Sequence, residues 1–189
     1  MTGEKGGDPR GARTFLPLAW ASFINGCRMS DPIEIYNWRR VNDRLTTSGQ
    51  PSEEQLASLR NIGIHHVINL GLHSHEKALP DEARSLAAIG LKYYHIPVAF
   101  DRPTDDDFIQ FCDVMRMIGS RPVHVHCIAN FRVTAFIYRW QRDVLRLADD
   151  RAREVMESVW QPGGVWAEFI GDLSAVQLPH RPPKSRGEE

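Results

Sequence analysis

A chain of 189 residues with 42% hydrophobic and 25% charged side chains can bury one sizeable core and has the composition of a globular domain. Its formal net charge of −1 gives no electrostatic footing for nucleic acid or an anionic membrane, and no apolar stretch approaches the ~20 residues that cross a bilayer. Three widely spaced cysteines make neither a disulfide framework nor a metal-ligand spacing, which sets aside stapled scaffolds and zinc modules.

Residues 1–14 are rich in Gly, Arg and Lys and read as disordered. The apolar run Phe15 to Ile24, ahead of Asn25-Gly26-Cys27, has the outline of a lipoprotein signal, but Pro17 interrupts it. We expect 1–30 to be a disordered or loosely docked extension and 31–175 to be the folded domain. The sequence from Ile35 to Leu45 reads as one or two edge strands, and Ser48-Gly49-Gln50-Pro51 as a turn. Ser52 with Gln55 three residues on forms a capping box for a helix to about Asn61, which Gly63 ends. His66 to Leu70 is a short buried strand, Gly71 to Ala78 a loop, and Leu79 to Ile89 a helix closed by Gly90. Leu91 to Val98 reads as a strand and Ala99 to Pro103 as a loop. Thr104 caps a helix to about Ile118, with Asp105, Asp106 and Asp107 in its first turn. Pro122 to His126 is the central strand. Helices follow over Arg132 to Arg146, Asp149 to Trp160 and Val165 to Leu173. The Pro-rich, charged stretch 176–189 reads as a disordered tail.

Strands alternating with helices predict an α/β fold: a central, mainly parallel sheet of four to five strands flanked by helices. Sites in such sheets lie beyond the carboxyl ends of the strands. Three loops meet that rim: Gly71 to Ala78, Ala99 to Pro103, and the loop after Cys127.

The last of these carries the most chemistry. Val123 to His126 ends in Cys127, a short loop follows, and Arg132 opens an apolar stretch of helical period. A helix N-terminus presents unpaired N–H groups and the positive end of the dipole to an anion. The same field with a nearby Arg favours a thiolate nucleophile. Cys127 is thus the candidate nucleophile and Arg132 the oxyanion clamp, its planar fork pairing two oxygens. A cation at a helix start opposes the dipole, so Arg132 needs a ligand to explain it. The N–H groups of residues 128–132 complete the cup, with Ile128, Ala129, Asn130 and Phe131 as substrate-binding positions. His126 points to the other face of the strand from Cys127. It is read as a supporting residue that holds the loop backbone, and His124 as structural. Phe131 could stack on an aryl group or pack on the sheet. His73, Ser74, His75 and Glu76 form a polar rim cluster with no further metal partner. Cys112 reads as a core residue.

His126-Cys127, a short loop and Arg132 resemble the signature of the protein-tyrosine and dual-specificity phosphatases. The wider chain resembles small bacterial phosphatase-like domains, some of them fused to β-lactamase-like hydrolases. The likeness rests also on Leu45-Thr46-Thr47-Ser48-Gly49-Gln50-Pro51, Val67-Ile68-Asn69-Leu70 and Ile96-Pro97-Val98. Here the loop is one residue shorter than the phosphatase signature, and Asn130 stands where Gly is expected; Asn tolerates left-handed backbone angles. The resemblance implies hydrolysis of phosphate monoesters on a phosphorylated protein or small molecule, through a phosphocysteine and without a cofactor or metal. It implies a general acid on the loop before the preceding helix, where Asp101 lies, with Asp105, Asp106 and Asp107 as alternatives. Thr134 is the candidate hydroxyl partner of the leaving thiolate. No nucleic acid or membrane partner and a cytoplasmic location are expected. Sulfur transfer by a rhodanese-like Cys127 persulfide, or a non-catalytic phospho-binding module, are the alternatives.

Overall fold

The computed structural model describes residues 30–184, so the expectations for residues 1–29 and 185–189 lie outside it. Five strands form one sheet in the order β1-β2-β5-β3-β4. They are β1 (Arg39–Arg40), β2 (Leu45–Ser48), β3 (His66–Asn69), β4 (Lys92–His95) and β5 (Val123–His126). β2, β5, β3 and β4 run parallel, and only β1 is antiparallel. Six α-helices cover the faces: α1 (Glu53–Asn61), α2 (Glu82–Ala88), α3 (Asp105–Ile118), α4 (Phe131–Arg139), α5 (Asp149–Glu157) and α6 (Gly164–Ile170). The α/β expectation holds. No helix among the described residues is long and apolar enough to cross a membrane.

Strand alternation sorts the core into two layers. Ile68, Val123, Val125 and Cys127 join Phe111, Phe136, Trp160 and Trp166 on one face. Val67 faces the opposite way, with Trp38, Leu56, Leu59 and Leu86. α3 buries Phe108, Phe111, Cys112, Met115 and Ile118, the single stripe of a 3.6-residue period. Burial also pushes the Cys112 thiol up, as suits an inert core cysteine. Removing a side chain such as Trp160 or Trp166 costs ~3–5 kcal/mol.

The capping signals are accurate. Ser52 and Gln55 cap α1 reciprocally, and Thr104 and Asp107 do the same for α3. Several bounds differ from expectation. α2 starts at Glu82 rather than Leu79, because Pro80 and the Asp81 cap set its first turn. α4 stops at Arg139, and a π-helix (Trp140–Val144) carries the chain on. The larger correction is β2, whose Leu45–Ser48 is a buried strand of the parallel sheet rather than the end of an edge strand running into a turn. Its polar residues hide that burial. Thr46 Oγ1 and Ser48 Oγ lie 2.9 and 3.0 Å from the two ring nitrogens of His124, so each hydroxyl is satisfied inside. The disorder expected over 176–189 also fails for residues 176–184. Arg181 bridges Gln161 in both directions at 3.0 Å, and His180 sets its ring edge against Trp160.

Candidate active site

β5 ends by delivering Cys127 to a loop whose carbonyls are drawn outward. Ile128 O accepts from Gln50 N at 3.1 Å, and Ala129 O accepts from Asn37 Nδ2 at 3.0 Å. The N–H groups of Ile128, Ala129 and Asn130 have no partner among the described residues. Asn130 turns the chain into α4 with φ 68° and ψ 0°, the left-handed geometry that its residue type tolerates. Its side chain points away from the cup, Nδ2 donating to Asn37 O (2.8 Å) and Thr47 Oγ1 (3.0 Å). No side chain caps α4, and its first turn holds no acid. Gly49 permits the close fit of the end of β2 against this loop, since an added Cβ would meet Ile128 O at 2.7 Å.

A cavity of about 290 Å³ opens here, lined by His75, Phe100, Cys127, Ile128, Ala129, Phe131 and Arg132. Arg132 is 7% exposed, and its guanidinium lies 5.1 Å from the Phe100 ring centroid. Its Nε has no hydrogen-bond partner, and no carboxylate among the described residues pairs with it. A buried cation without an acid is costly, and an anion in the cup would offset that cost. Phe131 packs in parallel on Trp160 at 4.8 Å while still bordering the cavity. His75 Nδ1 accepts from Lys77 N at 3.1 Å, so the neutral ring carries its proton on Nε2.

The structure therefore brings Cys127, Arg132, Ile128, Ala129 and Phe131 together. Two expected residues stand elsewhere. Thr134 is fully buried below the loop, donating to Phe131 O (3.2 Å) and accepting from Trp160 Nε1 (3.1 Å). It seats the Phe131–Trp160 pair and does not border the cavity. Asp101 is exposed and lines a neighbouring cavity of about 540 Å³ with Arg102, Pro103, Asp105, Arg139 and Arg142. Of its alternatives, Asp105 pairs with Arg139 at 2.8 Å, and Asp107 is spent on the Thr104 capping box.

On the opposite face of the sheet, His126 meets a carboxylate rather than loop backbone: its Nε2 lies 2.9 Å from Glu82 Oε1. Burial alone would raise the Glu82 carboxyl. His126 beside it, with hydrogen bonds from Gln50 and Tyr93, holds it below the usual carboxylate range. Burial and the charge of Glu82 push the Tyr93 hydroxyl well up. Burial lowers His95 and, much further, His124. Glu82 escapes sequence reasoning because an acid in a first helical turn reads as an ordinary dipole partner. Phe100 carries no sequence signal of its own, and Gln50 stands out only as part of the Leu45–Pro51 segment.

A cavity lined by Cys127 and the loop after it, and a guanidinium that pairs with no carboxylate among the described residues, on a mainly parallel α/β sheet, define a cysteine-dependent phosphatase-like domain. The chain belongs to the family described as DSP-PTPase phosphatase fused to NAD+ kinase, whose model matches residues 30–167. It is 33% identical over 91 residues to the β-lactamase hydrolase-like protein of Agrobacterium fabrum; the match takes in 47% of this chain and only 21% of that relative. A DUF442 protein of Shewanella putrefaciens CN-32, assigned as a phosphatase, superposes with a TM-score of 0.67 at 30% identity, covering 75% of this chain and 90% of that one. Pseudomonas aeruginosa TpbA, in a complex with phosphotyrosine, gives 0.56 at 20% identity over 79% and 87% of the two chains. The PP-IP phosphatase SIW14 of S. cerevisiae, in complex with citrate, gives 0.58 at 14% over 72% and 85%. At these identities the last two likenesses bear on the fold alone.

Proposed function

We propose that this domain hydrolyses phosphate monoesters, of a phosphorylated protein or a small molecule, through a phosphocysteine intermediate. One observation carries the reading: Arg132 is buried, lines the same cavity as Cys127, pairs with no carboxylate among the described residues, and sits at a helix start without a side-chain cap. The guanidinium and the N–H groups of residues 128–132 hold the phosphate oxygens. The Cys127 thiolate attacks phosphorus as the ester P–O bond breaks, and Asp101 gives its proton to the leaving oxygen. Asp101 then takes a proton from water, which attacks phosphorus, breaks the S–P bond and releases phosphate and thiolate. Asp101 follows Phe100, the ring that packs on Arg132, so one short loop carries both. Phe100 and Phe131 give the cup aromatic walls that suit an aryl phosphate such as phosphotyrosine. A cytoplasmic location, which keeps thiols reduced, suits the free Cys127.

Phosphate release from nitrophenyl phosphate and from a phosphotyrosine peptide tests the proposal. The wild type turns over both, and Cys127→Ser turns over neither while still binding the peptide. Cyanide-dependent sulfur transfer from thiosulfate, without phosphate release, would replace this reading with the rhodanese-like one. Wild type and Cys127→Ser binding the peptide alike with no turnover would make the domain a reader.

A further inference from the structure

We propose that His180, carried on the strap formed by residues 176–184, is a positioning residue for the acid loop: it clamps Phe100 and so keeps Asp101 within reach of the cup. The inference deepens the phosphatase reading and rests on it for Asp101 as the proton donor.

The acid loop, residues 99–103, has little to hold it from within. Its one internal backbone bond among the described residues, Arg102 N to Ala99 O, is long at 3.4 Å. Asp101 is exposed and makes no side-chain hydrogen bond or ion pair among the described residues. The loop is placed instead through Phe100. Trp166 Nε1 donates to Phe100 O at 2.7 Å. The Phe100 ring meets the Arg132 guanidinium at 5.1 Å, Trp166 at 5.5 Å, Trp160 at 6.2 Å and His180 at 5.6 Å, the last edge-on at 76°. His180 also sets its ring against Trp160 at 4.8 Å, and Trp160 stacks on Phe131. One imidazole therefore backs both aromatic walls of the cup, Phe100 directly and Phe131 through Trp160.

The strap fixes that imidazole from outside the site. Arg181 exchanges two backbone bonds with Gln161, and Gln161 Nε2 donates to Pro182 O, all at 3.0 Å. Gly164 N donates to Leu178 O at 3.1 Å, and Lys184 pairs with Glu157 at 2.7 Å. His180 Nδ1 accepts from Gly163 N at 3.0 Å, which sets the rotation of the ring. Gly163 is also where the strap runs closest to the start of α6. An added Cβ there would collide with Leu178 O and Pro179 O, although the φ of −133° suits any residue. A loop whose anchoring ring is caged in this way samples fewer positions, so its acid stays near the leaving oxygen. Loosening the cage costs rate where the leaving group needs a proton and little where it departs as an anion.

Two measurements on the full chain test the clamp. The first is hydrogen exchange read by mass spectrometry, which needs no substrate. In His180→Ala the peptide covering 99–104 exchanges about fivefold faster, while peptides from β3 and β5 keep their wild-type rates. The second is turnover. In the same variant kcat on phenyl phosphate falls about tenfold, and kcat on nitrophenyl phosphate by about twofold at most. Adding His180→Ala to Asp101→Asn lowers kcat on phenyl phosphate no further than Asp101→Asn alone. Gly163→Ala pushes the strap away without altering His180, Phe100 or Asp101. It gives the same pattern, and it decides should His180→Ala not fold. Wild-type exchange over 99–104 in these variants overturns the proposal. So do equal losses on the two esters, or a uniform rise in exchange across the sheet, either of which marks a merely structural role. Faster exchange confined to the acid loop, in a protein that releases phosphate from neither ester, would sink the phosphatase reading and leave the clamp standing.

Discussion

Two long helices start on the same rim of the sheet, and their first turns are built in opposite ways. α3 opens with a complete capping box, Thr104 with Asp107, and with three acids in its first turn. α4 opens with no side-chain cap, no acid, a left-handed Asn130 and an arginine as its second residue. The first helix satisfies its own N–H groups and its own dipole. The second leaves both unsatisfied and adds a buried cation. Side by side, they show what separates a structural helix start from an anion site: which groups the protein declines to pair.

The sharpest way to break the contrast is to remove the cation. Arg132→Ala should lower kcat/KM on nitrophenyl phosphate by ~10²–10³-fold, and Arg132→Lys should recover only part, since a lone ammonium lacks the planar fork. An Arg132→Ala protein with wild-type kinetics would reduce α4 to a second α3 whose cap is missing. Next in size is the acid on the loop leading to α3. Asp101→Asn should lower kcat by ~10²-fold or more on a phenyl phosphate and flatten the basic limb of the pH profile, with little change for an ester with a good leaving group. Equal losses on both esters would move the acid elsewhere in the site.

The left-handed turn into α4 comes third. Asn130→Ala places a Cβ-bearing residue without the side-chain bonds to Asn37 and Thr47 at φ 68°, which should cost about 1–2 kcal/mol in denaturant unfolding. Asn130→Gly should recover the backbone part, and the difference between the two variants measures what those side-chain bonds contribute.

Acid tests the ground beneath α4. His124, in the strand that launches this helix, is held well below its ordinary range by burial, so only the unfolded state takes up its proton as pH falls below about 6.5. Stability should be flat above that point and decline below it by up to ~1.4 kcal/mol per pH unit for this one group, with His95 and His66 shifted in the same direction. Glu82 behaves as a depressed carboxylate. Its contribution is present above about 4.5 and is lost as pH falls further. Urea midpoints that stay level from pH 7 to 5 would remove the buried neutral imidazole from the account. The smallest effect belongs to the self-sufficient helix. Thr104→Ala should cost ~1 kcal/mol of stability and leave the Cys127 alkylation profile unchanged.

Much of this was legible in the chain because its signals are local. Ser52 with Gln55 and Thr104 with Asp107 are reciprocal bonds within one helical turn, and the structure contains both. The strand, loop and helix around Cys127 need only a β-branched run, a residue that accepts positive φ and an apolar helical period, and Asn130 takes that φ. The strand expected to end at Leu45 continues through Thr46, Thr47 and Ser48 because their hydroxyls find partners in His124 and Asn130, which lie far away in the sequence. The resemblance implies a hydroxyl for the leaving thiolate just after Arg132, which points to Thr134, whereas Trp160, from beyond α5, draws that hydroxyl into the core.

The sequence by itself determined where strands and helices alternate, that a thiol and a guanidinium would share one strand-to-helix junction, and that this junction would face the rim. Spacing along the backbone sets all three over a few residues. Only the tertiary structure decided that Glu82 stands behind His126, that Phe100 rather than Asp101 borders the cup, and that residues 176–184 close over Trp160. Those outcomes depend on which face of a helix meets which face of the sheet. That is fixed by the packing of whole side-chain layers, over distances that no short window of sequence spans.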